Sequence, residues 1–143
     1  MDLRPDVTVA TLQHRLRTGL PALLGIQMLG LSEGSLTMRL PIAPQLLAPN
    51  GFLHAASVIA LADTACGFAC IAHLPAGAQN FTTIELKTNF IGTATEGTLA
   101  AQARSVHRGR TTQVWDATVS HVETDRAIAM FRCTQLVLWP KAA

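Results

Sequence analysis

The hydrophobic and polar positions of the chain are organised around one long apolar stretch, from His54 to His73. Its twenty residues include seven alanines, no proline, no lysine or arginine, and a single acid, Asp63, near the midpoint. The stretch is only weakly lipophilic, so it predicts a helix buried in protein rather than a membrane span. A buried charge costs free energy unless it is paired, neutralised or used. Asp63 is therefore the first candidate for chemistry.

Shorter elements flank this helix on both sides. Apolar residues at helical spacing predict a short helix over 8–18, closed by Gly19 and Pro21. Alternating or apolar runs bounded by turn residues predict six strands. They cover residues 26–31, 35–40, 81–91, 98–107, 112–122 and 127–138.

The late strands are joined by connections too short for parallel crossovers, so the sheet is expected to be antiparallel. The element long and apolar enough to cover one face is the 54–73 helix, about 30 Å long. The pattern predicts a single α+β domain over 1–143, with 1–21 as a helical extension and the sheet curled around the helix. The strand over 81–91 is expected to alternate between two faces. One face carries Ile84, Leu86 and Phe90, and the other carries Thr83, Glu85, Lys87 and Asn89.

Composition restricts the partners and the compartment. Only 14% of residues are charged while 49% are hydrophobic, which predicts surface buried between subunits, hence a homo-oligomer. The net charge of +2 comes from scattered basic residues, which argues against nucleic acid. The lack of an apolar leader or a second span predicts a cytoplasmic protein without a membrane partner. Three cysteines, Cys66, Cys70 and Cys133, suit a reducing compartment without structural disulfides.

Four phrases of the sequence, within residues 22–138, carry a family resemblance: NGFLHAASVIALADTACGFA, TTIELKTNFIGTATEG, HRGRTTQVWDATV and IAMFRCTQLVL. Together they resemble the hotdog-fold acyl-CoA thioesterases of the PaaI-like branch. The resemblance implies five to six strands wrapped around one central helix, a coenzyme A thioester as substrate, and at least a dimer, expected to pair into a tetramer. Gly51 and His54 match the phrase that opens the helix in this family. Asp63, nine residues after His54, matches its catalytic acid.

The chain departs from the family pattern at two places. Ala55 and Ala56 stand where the family has two glycines, and Ala48 stands where it has Asn or Gln. Ala55 keeps the backbone N–H that the family uses to hold the thioester oxygen, but it adds a methyl group there. Asn50 lies two residues from Ala48 and is a candidate replacement for the missing amide in substrate binding.

The chemistry expected of these residues needs no cofactor or metal. Free N–H groups and the helix dipole at His54 and Ala55 suit charge that develops on a carbonyl oxygen. Asp63 can act as general base on water or as nucleophile, and a thiolate leaves with little acid assistance. The alternatives are a structural, backbone-bonded His54 and an Asp63 carboxylate that pairs with a buried arginine or caps a helix.

Spacing bears on how the two groups could act together. Nine helical residues put His54 and Asp63 about 13 Å apart on opposite faces. If both act on one carbonyl, the helix start must come from one subunit and Asp63 from another, across a two-fold interface.

Three further residues are candidates with competing interpretations. Thr83 matches a family position that positions water or the carboxylate, or it is a solvated strand residue. Arg108 and Arg110 can bind the phosphates of coenzyme A, or they belong to an ordinary basic turn. A rival interpretation makes zinc ligands of four residues on one helix face; their span of about 15 Å is too long for one ion, so at most Cys66, Cys70 and one end residue could bind it together. The four residues are Asp63, Cys66, Cys70 and His73.

Three functions are consistent with the sequence. The first is hydrolysis of an acyl or aryl thioester of coenzyme A by Asp63. The second is a non-catalytic acyl-CoA-binding protein, suggested by Ala55 and Ala56. The third is a hotdog hydratase or dehydratase acting on acyl thioesters. The acyl group itself is not predicted.

Overall fold

Residues 2–141 are described by a computed structural model, in which a six-stranded sheet surrounds one long helix. The helices are α1 (Val9–Arg15), α2 (Gly19–Leu24) and α3 (Ala55–Ala72), and a 3-10 turn spans Pro44–Leu46. The strands are β1 (Gln27–Ser32), β2 (Ser35–Pro41), β3 (Asn80–Phe90), β4 (Thr98–Arg108), β5 (Thr112–His121) and β6 (Arg126–Leu138).

The sheet is antiparallel throughout and has the strand order β1-β2-β4-β5-β6-β3. The expected α+β architecture, with about six strands wrapped around one helix, is confirmed. Strand β3 follows α3 in the chain but lies at the far edge, beside β6. One long side of β3 therefore has no partner strand in the described part of the protomer.

The core forms where α3 packs into the concave face of the sheet. Its inward positions are small, and Ala62, Ala65 and Ala69 are fully buried. Small side chains let the helix approach the strands closely, while larger groups such as Trp115 fill the space at its end. By length and composition alone α3 could cross a membrane, but most of its surface is covered by the sheet and loops of its own chain.

The C-terminal end of α3 is fixed by a buried polar network around His73, which is fully buried. Its Nδ1 donates to the carbonyl of Ala69 (2.8 Å), and its Nε2 accepts the N–H of Gly34 (2.9 Å) from the β1–β2 turn. Gln113 donates to the His73 carbonyl (2.8 Å) and accepts the indole N–H of Trp115 (2.9 Å). These bonds join the helix, the hairpin and β5.

A β-bulge in β3 corrects the expected alternation of that strand. The register with β6 shifts between Thr83 and Glu85, so Thr83 lies opposite the buried Gln135. Because residues directly opposite each other share a face, Thr83 points inward, with Leu86 and not with Glu85. Regular alternation cannot indicate such an inserted residue.

The N-terminal region contains a second helix where the sequence predicted only the end of the first. Helix α1 stops at Arg15, and α2 begins at Gly19 with Pro21 in its first turn. Proline is tolerated there because the N–H groups of a first turn have no intrahelical partner. Gly19 and Pro21 therefore start a helix rather than close one.

We expect His73→Phe to lower the free energy of unfolding at pH 7.5 by about 1–3 kcal/mol for each hydrogen-bonding group left unpaired. Burial lowers the pKa of the His73 ring, partly offset by its bond to Ala69. The unfolded chain then binds more protons than the folded one, so this contribution is complete above about pH 6.5 and is lost as the pH falls through the folded pKa.

Urea denaturation between pH 7.5 and 5 checks this prediction. The stability gap between wild type and His73→Phe should narrow as the pH falls, because the variant has no ring to protonate. His14→Gln, which removes an exposed histidine of α1, is the control. The gap between its free energy of unfolding and that of wild type should stay constant with pH. A gap of constant size would contradict the role assigned to His73.

Candidate active site

Asp63 lies halfway along α3 and is half-buried. Its Oδ1 is 3.4 Å from the Thr83 hydroxyl, and no salt bridge among the described residues includes it. Burial raises the pKa of this carboxyl, while the Thr83 hydrogen bond acts in the opposite direction. The predicted alternative of a carboxylate paired with a buried arginine therefore finds no support. A carboxylate without a cation partner is suited to exchange a proton.

Thr83 is brought to Asp63 by the bulge in β3. Its hydroxyl also lies 2.9 Å from Oε1 of Gln135, a fully buried residue of β6. Sequence reasoning did not single out Gln135. The available signal was a long polar side chain at an inward position of a nearly all-apolar strand, between Cys133 and Val137.

The start of α3 presents one backbone donor that protein groups do not occupy. His54 is the N-cap, and its Nδ1 accepts the N–H of Ala56 (2.9 Å). The N–H of Ser57 donates to the His54 carbonyl (3.0 Å). No acceptor for the N–H of Ala55 occurs among the described hydrogen bonds of this turn. With Nδ1 accepting, the neutral His54 ring carries its proton on Nε2.

The loop before α3 is held by backbone bonds. The carbonyl of Leu46 accepts both the N–H of His54 (3.0 Å) and the hydroxyl of Ser57 (2.9 Å). Gly51 has φ +86°, a conformation that side chains disfavour. Asn50 is exposed, and its Oδ1 accepts the N–H of Phe52 (3.2 Å) within the turn.

The protomer thus brings the predicted site residues together as two groups and not as one. Asp63 and Thr83 form the first group, and the second lies at the helix start with His54, Ala55 and the preceding turn. From His54 to Asp63 the helix advances about 13 Å. A single protomer does not present both groups to one small reacting centre.

Arg108 and Arg110 lie at the opposite end of α3, in and after the last residues of β4. Arg108 pairs with Glu33 (3.4 Å), and its Nη1 is buried without a hydrogen-bond partner among the described residues. The Arg110 guanidinium lies 4.8 Å from the ring centre of Trp139, whose indole N–H donates to the Arg110 carbonyl (3.2 Å). Both cations therefore have contacts that fix them near the surface.

The zinc reading is not supported by the arrangement of its residues. Within residues 2–141, no three His, Cys, Asp or Glu side chains are grouped as metal ligands. Both ring nitrogens of His73 are bonded to backbone groups. Burial raises the pKa of the Cys70 thiol to about 12. The pKa of the Cys66 thiol is also raised, chiefly by its hydrogen bond with Cys133 and then by burial.

One face of the protomer around Asp63 is left uncovered. Along α3 the residues not fully buried form a stripe at helical spacing, and it contains Asp63. The stripe comprises Ala55, Ala56, Ile59, Ala60, Asp63, Thr64, Phe68 and Ile71. The neighbouring edge of β3 exposes Ile84 (56%), Phe90 (45%) and the adjoining Ile91 (59%).

Known proteins resemble the chain in sequence and in fold. Residues 50–128 match the sequence model of the protein family described as the thioesterase superfamily. The 1,4-dihydroxy-2-naphthoyl-CoA hydrolase of Listeria monocytogenes is 26% identical over 116 residues, which are 81% of this chain and 93% of that protein. The acyl-coenzyme A thioesterase PaaI of Escherichia coli is 30% identical over 110 residues, 76% of this chain and 75% of PaaI. The crystal structure of a thioesterase family protein from Silicibacter pomeroyi superposes with a TM-score of 0.82 at 32% identity, covering 93% of this chain and all (100%) of that one.

We expect Thr83→Val to raise the pKa of Asp63 further, because the variant removes the hydrogen bond that favours the ionised carboxylate. Titration of the Asp63 carboxyl by NMR with carbon-13-labelled aspartate measures the change. Thr88→Val is the matched control. It changes the same residue type on the inward face of the same strand, where the Thr88 hydroxyl has no hydrogen-bond partner in the described structure. Equal titration curves for wild type and Thr83→Val would contradict the assigned contact.

Proposed function

The chain belongs to the thioesterase superfamily as a PaaI-like thioester hydrolase with the hotdog fold, and from that premise we propose that it hydrolyses acyl- or aryl-coenzyme A thioesters with Asp63 as the catalytic carboxylate. The observation that carries the proposal is the position of Asp63, a half-buried carboxylate on an apolar helix that has a hydroxyl beside it and no salt-bridge partner within residues 2–141. The names of the relatives from Escherichia coli and Listeria monocytogenes support a coenzyme A thioester as substrate. The thioester hydrolase assignment displaces the binding-protein and hydratase alternatives.

The reaction requires an ionised Asp63. As general base, its carboxylate takes a proton from water while the water oxygen bonds to the thioester carbon; as nucleophile, the carboxylate oxygen bonds to that carbon first and water releases the acid afterwards. In either route the carbon–sulfur bond breaks, and the thiolate of coenzyme A leaves and takes up a proton. Thr83 supports the ionised carboxylate through its hydroxyl.

Charge that develops on the thioester oxygen is received by the start of α3. The backbone N–H of Ala55 is the proposed donor, because the next two N–H groups are already bonded to His54. The positive end of the helix dipole adds to this donor. His54 fixes the turn through Nδ1 and presents Nε2–H outward, while Asn50 and Gly51 shape the loop beside it.

The complete site requires two subunits in this proposal. Two copies related by a two-fold axis would join their β3 edges and set their α3 helices antiparallel, so that Asp63 of one meets Ala55 of the other. The unpaired edge of β3, its exposed apolar residues and the uncovered stripe of α3 support this pairing. Further pairing into a tetramer stays a prediction.

The phosphates of coenzyme A are assigned to the basic end of the molecule. Arg108 and Arg110 lie near the C-terminal end of α3, about 15 Å beyond Asp63 by the helical rise. A long nucleotide-bearing thiol, with its reacting carbon at Asp63, can extend in this direction. Arg108, whose side chain is partly exposed and pairs with Glu33 at 3.4 Å, is the donor proposed for a phosphate oxygen.

We expect Asp63→Asn to lower kcat by about 10²–10⁴-fold while fold and oligomeric state persist, because the amide keeps the shape but cannot accept the proton or attack. Release of free thiol from a panel of acyl-CoAs, short aliphatic to aryl, provides the measurement. Asp116→Asn changes a carboxylate on the outer face of the sheet, paired with Arg132, and serves as the control. Near-native hydrolysis by Asp63→Asn would reject the proposed function.

Mixing two inactive variants tests the shared site. Ala55→Pro removes the N–H at the first helical position, where proline is well tolerated, and should be inactive like Asp63→Asn. Random exchange of subunits leaves one intact site in each mixed dimer, so activity should recover to about a quarter of wild type. Mixing each variant with itself is the control. No recovery despite proven subunit exchange would place each site within one protomer.

A further inference from the structure

Gln135 is a buried polar side chain that the proposed reaction has not used. It lies on the inward face of β6, is 0% exposed, and is directly opposite Thr83 in the register of β3 and β6. Its Oε1 is 2.9 Å from Thr83 Oγ1, and its amide nitrogen has only the weak acceptor Cys133 Sγ at 3.2 Å. Burying an amide costs free energy, so this glutamine destabilises the fold unless its contacts compensate.

The Thr83 hydroxyl has one proton and two acceptors within reach. Asp63 Oδ1 lies at 3.4 Å and Gln135 Oε1 at 2.9 Å. When Asp63 is ionised, donation from Thr83 to the carboxylate is the stronger, charge-assisted bond. When Asp63 carries a proton, its own O–H can donate to Thr83 Oγ1, and the Thr83 proton then needs another acceptor. Gln135 Oε1 is that acceptor.

We infer that Gln135 is a positioning residue that acts through Thr83: its Oε1 accepts the hydrogen bond of the Thr83 hydroxyl whenever Asp63 takes up a proton from water, so that both states of the carboxyl remain hydrogen-bonded. The inference deepens the proposed function, because the proton cycle that it serves is that of Asp63 as general base. No atom is transferred to Gln135. The Thr83 O–H bond only rotates from one acceptor to the other.

Few other groups can compete for this proton. On α3 the nearest titratable side chain is Cys66, and on β6 it is Cys133, both with buried thiols. Asp116 of β5 lies on the outer face, paired with Arg132, and the neighbouring Glu85 and Lys87 of β3 also face outward. The buried residues of β2 and β4 are apolar. Burial raises the pKa of Asp63, and the hydrogen bond from Thr83 lowers it. In this inference Gln135 acts on that hydrogen bond, because it competes for the Thr83 hydroxyl.

Gln135→Met tests the inference by removing the acceptor with little change of shape. Thr83 then donates to Asp63 alone, so the pKa of Asp63 should fall, and the acid limb of the kcat/KM profile should move to lower pH by up to about one unit. At its pH optimum kcat should fall about tenfold, because the protonated carboxyl loses its support. Gln113→Met, which removes the neighbouring buried amide that contacts Trp115 and not Thr83, should lower stability without moving the limb.

A double-variant cycle identifies the path through Thr83. In the Thr83→Val background, Gln135→Met should leave the Asp63 titration, followed by NMR, unchanged. An equal shift in both backgrounds, or none in either, would overturn the inference. The NMR titration needs no turnover, so it stands apart from the activity of Asp63→Asn, which tests the proposed function.

Wild-type protein supplies a measurement for the case in which Gln135→Met does not fold. The side-chain amide signals of Gln135 should titrate with the pKa of Asp63, because Oε1 gains a hydrogen bond when the carboxyl is protonated. In Thr83→Val this titration should disappear. Signals of Gln135 that stay constant in wild type while Asp63 titrates would also overturn the inference.

Discussion

The structure depends on keeping one carboxylate inside an apolar helix without a cation to neutralise it. Asp63 is half-buried, and its partner is the neutral hydroxyl of Thr83. A salt bridge would hold the carboxylate ionised and occupied, whereas a single hydroxyl leaves it able to gain or lose a proton. The helix must therefore be covered well enough to raise the proton affinity of Asp63 and left open enough for water and substrate to reach it.

This requirement is consistent with a protomer that leaves part of its apolar surface and one sheet edge uncovered. The sheet covers α3 on the side of its fully buried alanines and leaves the stripe with Asp63 only partly covered. Strand β3 supplies Thr83 from its inner face and leaves its outer edge unpaired. In the proposed dimer, the same pairing of subunits closes the sheet edge and covers the stripe. It also places the Ala55 N–H of one subunit beside Asp63 of the other, where both can act on one thioester.

The sequence predicted the parts that follow from periodicity and failed where one residue changes the geometry. The apolar run ending at His73 and the short strand connections were enough to predict the central helix and the antiparallel sheet around it. The bulge beside Thr83 could not be predicted, because an inserted residue looks the same as ordinary alternation. The roles of Gln135 and His73 could not be predicted, because each depends on a hydrogen bond to a residue more than thirty positions away in the sequence. Asp63 was found because an acid in an apolar helix is unusual in any fold.

The three thiols buried between α3 and β6 bear on how this molecule can be studied. Cys66, Cys70 and Cys133 are free but buried, and the pKa of Cys70 lies near 12, so almost none of it is thiolate at neutral pH. Disulfide reagents react with thiolates, and a buried thiol is shielded from them as well. A chromogenic disulfide added to the native protein therefore registers the coenzyme released from substrate with little background. Without substrate, the same reagent reports the rate of global unfolding, since these sulfurs become reactive when the helix leaves the sheet.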